Sequence, residues 1–150
     1  RSGIKYDIAT PEYIKEIAQH HISGKLKIAP EHVSDSVLEL MNKKSNKLEH
    51  FIKEFNKIGC GHLTFYYMVG HPGTSMKEAR ELAEQIKKYR HAESVQVFTP
   101  TPMTVSTCMY YTSMDPKTKK QIYVPYSFKE KKDQKRILGL PSDLDKFEED

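Results

Sequence analysis

The chain has 150 residues, with 24 lysines and arginines against 20 aspartates and glutamates, a formal net charge of +4 and two cysteines. That length is enough for one domain with its own core, while 37% apolar and 29% charged residues call for much solvated helix surface. No apolar run approaches the ~20 residues of a membrane helix, no signal peptide is read before the first strand-like segment, and the distant pair Cys60 and Cys108 suits neither a disulfide framework nor a metal-ligand pair, so the expected setting is the reducing cytoplasm; the mild charge permits an anionic partner without demanding one, and is less dense than a nucleic-acid grip normally shows.

The elements alternate along the chain. Opening at Arg1 without a methionine, the sequence reads as an excised fragment that begins with a strand, Ser2 to Ile8. Thr10, Pro11 and Glu12 supply a capping hydroxyl, a first-turn proline and a first-turn acid. Ile14, Ile17, Ala18 and His21 or Ile22 then recur at helical spacing, and Gly24 ends that helix. Leu26 to Ala29 is a short strand closed by Pro30. Ser34 caps a helix buried through Val37, Leu38, Leu40 and Met41. After an interruption at residues 42–46, Leu48, Phe51, Ile52, Phe55 and Ile58 resume the period up to Gly59. Leu63 to Val69 is apolar enough for a parallel strand covered on both faces. Ser75 and Glu78 form a capping box, and Ala79, Leu82, Ala83, Ile86 and Tyr89 mark the clearest amphipathic helix. Ser94 to Phe98 is the last strand, ended by Pro100 and Pro102. Beyond it, residues 103–111 fit helix or extended chain, residues 128–138 predict a basic helix, and the acidic end, residues 143–150, is expected to fray.

Four strands alternating with three helices predict a parallel α/β architecture. Chemistry in such folds gathers at the C-terminal ends of the strands. Polar and glycine-rich residues collect there in this sequence: Ala29-Pro30-Glu31-His32, then Gly70-His71-Pro72-Gly73-Thr74, then Thr99-Pro100-Thr101-Pro102. Glu31 and His32 fit either a site or a helix-capping loop. Gly70 and Gly73 either shape a tight turn or let the backbone approach a nucleotide without an intervening Cβ. His20 and His21 diverge by ~100° on a helix and are better placed to cap its end than to share a metal. Glu31, His32 and His71 offer a hydrolytic metal centre as an alternative, without an HExxH signature. The run KEKKDQKR, residues 129–136, fits a solvated helix face or an RNA-contacting tail.

Taken together, RSGIKYD, LKIAPEHVSDSVLELM, YYMVGHPGTSMKEA and QVFTPTPMTVSTCMYYT stand in the order found in YgiQ-type radical S-adenosylmethionine proteins, and cover most of residues 1–112. The tail YVPYSFKEKKDQKRIL resembles that family's C-terminal extension more loosely. The resemblance implies that residues 1–112 are the second half of a partial (β/α)6 barrel, with residues 113–150 as a partly helical extension. It implies S-adenosylmethionine and a [4Fe–4S] cluster in the parent enzyme, reductive cleavage to a 5′-deoxyadenosyl radical, and an unidentified substrate. The C-x-x-x-C-x-x-C loop that holds the cluster is absent here, so this fragment binds no cluster, contains no metal ligands and is inactive alone. Its implied partner is the missing N-terminal half of the same polypeptide.

By the same resemblance, Ser2, with Arg1 or Lys5, faces the methionine or ribose end of S-adenosylmethionine. Glu31 and His32 lie near ribose or substrate. Gly70, His71, Pro72, Gly73 and Thr74 meet the adenine through backbone groups, and Gln96, Thr99 and Thr101 line the cavity on the substrate side. No catalytic residue is assigned. Two other classes remain open: a nucleic-acid-binding module using the basic tail, and a metal-dependent hydrolase. A half barrel also leaves the edge of its first strand unpaired, so self-association, cover from the tail or partial disorder is expected.

Overall fold

The computed structural model describes residues 4–22, 24–43, 47–59, 61–89 and 92–140. Thr10 caps helix α1, Pro11–Glu16, as its chemistry predicts: the hydroxyl accepts from the Tyr13 N–H at 3.3 Å, and Pro11 takes the first turn. The helix then widens into a π turn, Ile17–His21. Strand β1, Lys25–Glu31, follows, and after it come two short helices, α2 at Asp35–Leu40 and α3 at Leu48–Ile58. Strand β2 covers His62–Val69, helix α4 covers Met76–Tyr89, and strand β3 covers Ala92–Val97. Helices α5, Val105–Thr112, and α6, Phe128–Arg136, complete the described elements.

The chain is therefore mixed α/β, with one parallel three-stranded sheet in the order β1-β2-β3. Of the fourth strand expected at Ser2–Ile8, Ser2 and Gly3 lie outside the described residues, and from Ile4 on there is a single parallel bridge, Ile4 to Ile28. A 3-10 turn over Tyr6–Ile8 ends the pairing there. Tyr6 is the physical reason: its ring turns inward against Phe51, edge-on at 6.1 Å, and a side chain so anchored pulls the backbone off the ladder.

Strand alternation sorts the sheet into two unlike faces. Leu26, Ile28, Leu63, Phe65, Tyr67, Val69 and Val95 point to one side and pack with Ile14, Phe51, Phe55, Leu82 and Ile86 from α1, α3 and α4. On the other side stand Lys25, Lys27, Thr64, Tyr66, Met68, Ser94 and Gln96, of which Lys25, Lys27 and Gln96 are exposed. Of the residues beyond 112, those described, 113–140, include α6, which lies against the sheet. α6 packs against β2, β3 and α4, and Leu138 joins the main core. The described tail thus packs beside β3, at the opposite end of the sheet from Ile4.

Candidate functional site: a stapled rim and an open sheet face

The strands run parallel and in register, so their three following loops leave the same end of the sheet. Glu31 pairs with Tyr67, Val69 with Val97, and the Phe98 N–H donates to the Val69 carbonyl at 2.8 Å. Glu31-His32, Gly70–Thr74 and Thr99–Pro102 therefore share one rim. Ser2 lies outside the described residues.

A bulge between Ile28 and Glu31 re-aims the end of β1. Glu31 sits there in the left-handed region, φ 66°. Its carboxylate accepts from Lys43 Nζ at 2.8 Å, and the same ammonium donates to the Ala29 carbonyl at 2.9 Å. His32 is 1% exposed. Its Nδ1 accepts from the Ser34 N–H at 3.0 Å, which fixes the neutral ring with its proton on Nε2. That Nε2 is buried and has no partner among the described residues. Burial first, and nearby His71 second, push His32 down to about 4, against an upward pull from Glu78.

The Gly70–Thr74 loop is held from above by the C-terminal extension. Gln134, fully buried, accepts from the Gly70 N–H at 2.9 Å and donates to the Thr74 carbonyl at 2.8 Å. The Gly73 N–H donates to the Tyr123 carbonyl at 2.7 Å, and the Thr74 N–H to His71 O at 2.9 Å. The stem of Lys131 lies on Gly70, where a Cβ would come within 3.1 Å of its Cγ; a Cβ on Gly73 would meet Leu40 Cδ1 at 2.4 Å. Both glycines have positive φ, +72° and +89°. The loop's glycines thus serve close approach by the protein's own side chains, and the N–H groups of Gly70, Gly73 and Thr74 are engaged within the chain.

His71 braces the same loop to α5. Nδ1 donates to the Pro72 carbonyl at 2.7 Å, so Nε2, 2.8 Å from Ser106 Oγ, accepts from that hydroxyl. Its ring meets Phe98 edge-on at 5.2 Å, and burial keeps it neutral by lowering its pKa. With both nitrogens engaged, and with Glu31 tied to Lys43, these residues do not converge as metal ligands. Among the described residues, no three His, Cys, Asp or Glu side chains are placed to share an ion. Thr101 and Thr104 knit the third loop: the Thr101 carbonyl accepts from the Thr104 and Thr107 hydroxyls at 2.9 and 2.6 Å, and Thr104 caps α5.

Gln96 is set apart from these rim residues, exposed on the face of the sheet that carries no α1, α3 or α4 side chains. Its register partner is Met68, and Tyr66 pairs with Ser94 on the same face. The Lys27 ammonium stands 5.8 Å from the Tyr66 ring centroid. Burial, then the charge of Glu31, raises the Tyr66 phenol above its ordinary pKa, so it remains a donor. Sequence reasoning singled out Gln96 and did not single out Tyr66, Gln134 or Lys131. The last two were hidden in a run read as solvated.

Fold and site together define a parallel β/α unit whose rim is stapled by its own C-terminal extension and whose second sheet face is open and polar. The model of a domain of unknown function, DUF3362, matches residues 93–138, from β3 through α6. A UPF0313 protein of Methanocaldococcus jannaschii is 43% identical over 91% of this chain, and one of Methanosarcina acetivorans is 46% identical over 93%. One of Clostridium botulinum is 43% identical over 99% of it. The chain is thus a relative of the UPF0313 proteins, the YgiQ-type family whose motifs it carries, over nearly its whole length. It spans only 20–25% of the length of these three relatives.

Proposed function

We propose that this chain is part of a radical S-adenosylmethionine enzyme, forming the second half of a partial (β/α)6 barrel whose lumen is the open face of the sheet. The observation that carries this reading is the asymmetry of the sheet. A free-standing parallel sheet buries both faces, whereas here the core helices gather on one side and Lys27, Tyr66 and Gln96 stand on the other. A barrel explains that arrangement, since the second face then looks into an enclosed polar cavity.

The residues present do not fit the [4Fe–4S] cluster. The chain has only Cys60 and Cys108, and no loop with three cysteines. Cluster ligands and the reductive step therefore belong to the remainder of the polypeptide, the N-terminal half being this chain's first partner. The open face does fit a polar cosubstrate: the Gln96 amide and the Tyr66 hydroxyl are able to orient S-adenosylmethionine by hydrogen bonds. Bound there and given one electron by the cluster of the intact enzyme, S-adenosylmethionine would supply hydrogen abstraction from the substrate. The chain's own work is to position it and exclude water. Ser2, Glu31, His32 and the Gly70–Thr74 loop complete the proposed rim. The loop's engaged N–H groups assign it a shaping role, with its remaining carbonyls available to the adenine.

Anaerobic reconstitution of the intact protein tests this. Iron–sulfur absorption together with 5′-deoxyadenosine production is the expected result. A protein that takes up no cluster and leaves S-adenosylmethionine intact overturns it.

A further inference from the structure

The open face ends beyond β3 in a groove of about 700 Å³ that shares Tyr66 and Gln96 with the proposed cosubstrate wall and runs on from them to Phe98 and α6. Its floor is Tyr66, Ser94, Gln96 and Phe98, and its opposite wall is α6. That wall presents an aromatic ring, Phe128, which is 74% exposed, and three lysines, Lys131, Lys132 and Lys135. Residues i and i+4 of a helix share a row, with i+1 beside it, so the three stems rise on one side of α6. The two acids of the same helix do not line the groove: Glu130 accepts from the Tyr123 hydroxyl, and Asp133 pairs with Arg136 at 2.9 Å. No carboxylate is present among the described lining residues. The Ser94 hydroxyl is buried without a partner among the described residues.

Such a wall differs from a solvated helix face. An exposed phenylalanine beside a row of ammonium groups, facing an apolar floor with an amide in it, suits a ligand that is flat and apolar at one end and anionic at the other. The volume falls in the range of about 300–1,000 Å³ usual for small-molecule sites. We propose that this groove binds a small aromatic anion, a planar ring carrying a phosphate or a carboxylate, and that this is the substrate class of the enzyme. The ring lies between Phe128 and the Tyr66–Phe98 floor. The anionic group meets Lys132, which acts as a point charge, on the wall that Lys135 also lines. Lys131 contributes its stem and a charge fixed over the Tyr110 ring, 4.8 Å from the centroid. The word substrate rests on the enzyme reading above; the binding site does not.

The test is titration calorimetry of the intact protein with 1-naphthyl phosphate, 1-naphthoate, 1-naphthol and inorganic phosphate. The two aromatic anions are expected to bind at least tenfold more tightly than the neutral ring or the bare anion, and their order tells phosphate from carboxylate. A Lys132→Glu/Lys135→Glu double variant is expected to lose at least tenfold of that affinity, and Phe128→Ala a similar factor. Lys129→Glu reverses one charge of the same helix at a position outside the groove, half the charge change of the double variant, and is expected to leave affinity within twofold. Equal binding of naphthol, equal loss in Lys129→Glu, or binding only to RNA with a steep salt dependence overturns the proposal. Failure to cleave S-adenosylmethionine with naphthyl phosphate binding intact would sink the enzyme reading and leave the groove standing.

Discussion

Gln134 and Gly70, 64 residues apart, are joined by a buried hydrogen bond of 2.9 Å from the Gly70 N–H to the glutamine Oε1. The same amide turns its Nε2 on the Thr74 carbonyl at 2.8 Å. One side chain from the extension therefore satisfies a donor and an acceptor at the two ends of the Gly70–Thr74 loop. A loop held this way cannot relax independently of α6, so the tail belongs to the architecture of the rim.

Gln134→Leu tests that relationship. The leucine fills the space but leaves the Gly70 N–H and the Thr74 carbonyl without partners. An unsatisfied buried group costs about 1–3 kcal/mol, so the variant is expected to unfold in urea with a loss of roughly 2–6 kcal/mol for the two. Amide exchange at Gly70 should accelerate in parallel. A loss below about 0.5 kcal/mol, the usual scatter of surface substitutions, would show that the loop holds itself.

His32 gives stability a pH dependence of definite sign. Its folded pKa is about 4, against 6.5 for the free side chain. Between those values the unfolded chain binds the extra proton, so stability is full above about 6.5 and is lost as pH falls through the window toward 4. The whole shift corresponds to about 3 kcal/mol at 1.36 kcal/mol per unit. His32→Asn keeps an acceptor for the Ser34 N–H but does not titrate. Urea midpoints measured from pH 7 to pH 4 should therefore fall less steeply in the variant than in the wild type; parallel slopes would exclude His32 as the source.

Gly73→Ala separates two costs. The added Cβ meets Leu40 Cδ1 at 2.4 Å, and the residue keeps φ +89°. The leucine end can move, but the backbone angle cannot change without breaking the 2.7 Å bond to the Tyr123 carbonyl. Strain of this kind is worth about 1–3 kcal/mol. Leu40→Ala in the same chain is expected to remove only the steric part. If the double variant recovers everything that Gly73→Ala loses, the backbone conformation was not the constraint.

Much of the fold was legible because its signals are local. The capping box at Ser75 forms with the Glu78 carboxylate on the Ser75 N–H at 2.9 Å, and β2 follows its apolar run, gaining only His62 at its start. What was not legible depended on tertiary contacts. The Ser2–Ile8 segment has the look of a strand, but Tyr6 finds Phe51 and the ladder stops after Ile4. Along α6 the buried row is Lys131, Gln134 and Leu138, and its first two members are the residue types normally read as solvent-facing. Only the Gly70 N–H, the Thr74 carbonyl and the Tyr110 side chain that wait across the fold explain why a lysine and a glutamine are inside. Gln96 entered through the family resemblance; once the register is set, period-two alternation puts it on the face away from Val95 and Val97.

Gln96 also offers the sharpest test of the open face as a cosubstrate wall. It is exposed, makes no contact with the helical core, and belongs to a strand whose core-facing neighbour Val95 carries the packing. Gln96→Ala is therefore expected to leave the melting temperature unchanged, within the small effects of surface substitutions. If the amide hydrogen-bonds S-adenosylmethionine, its loss weakens binding to the intact protein by about tenfold, the value of one net hydrogen bond of ~1.4 kcal/mol. Tyr66→Phe, which removes a hydroxyl from the same face and keeps the ring under Lys27, should weaken it by a similar factor. Equilibrium binding of S-adenosylmethionine, followed without turnover, measures both. Unchanged affinity in the two variants would place the cosubstrate away from this face.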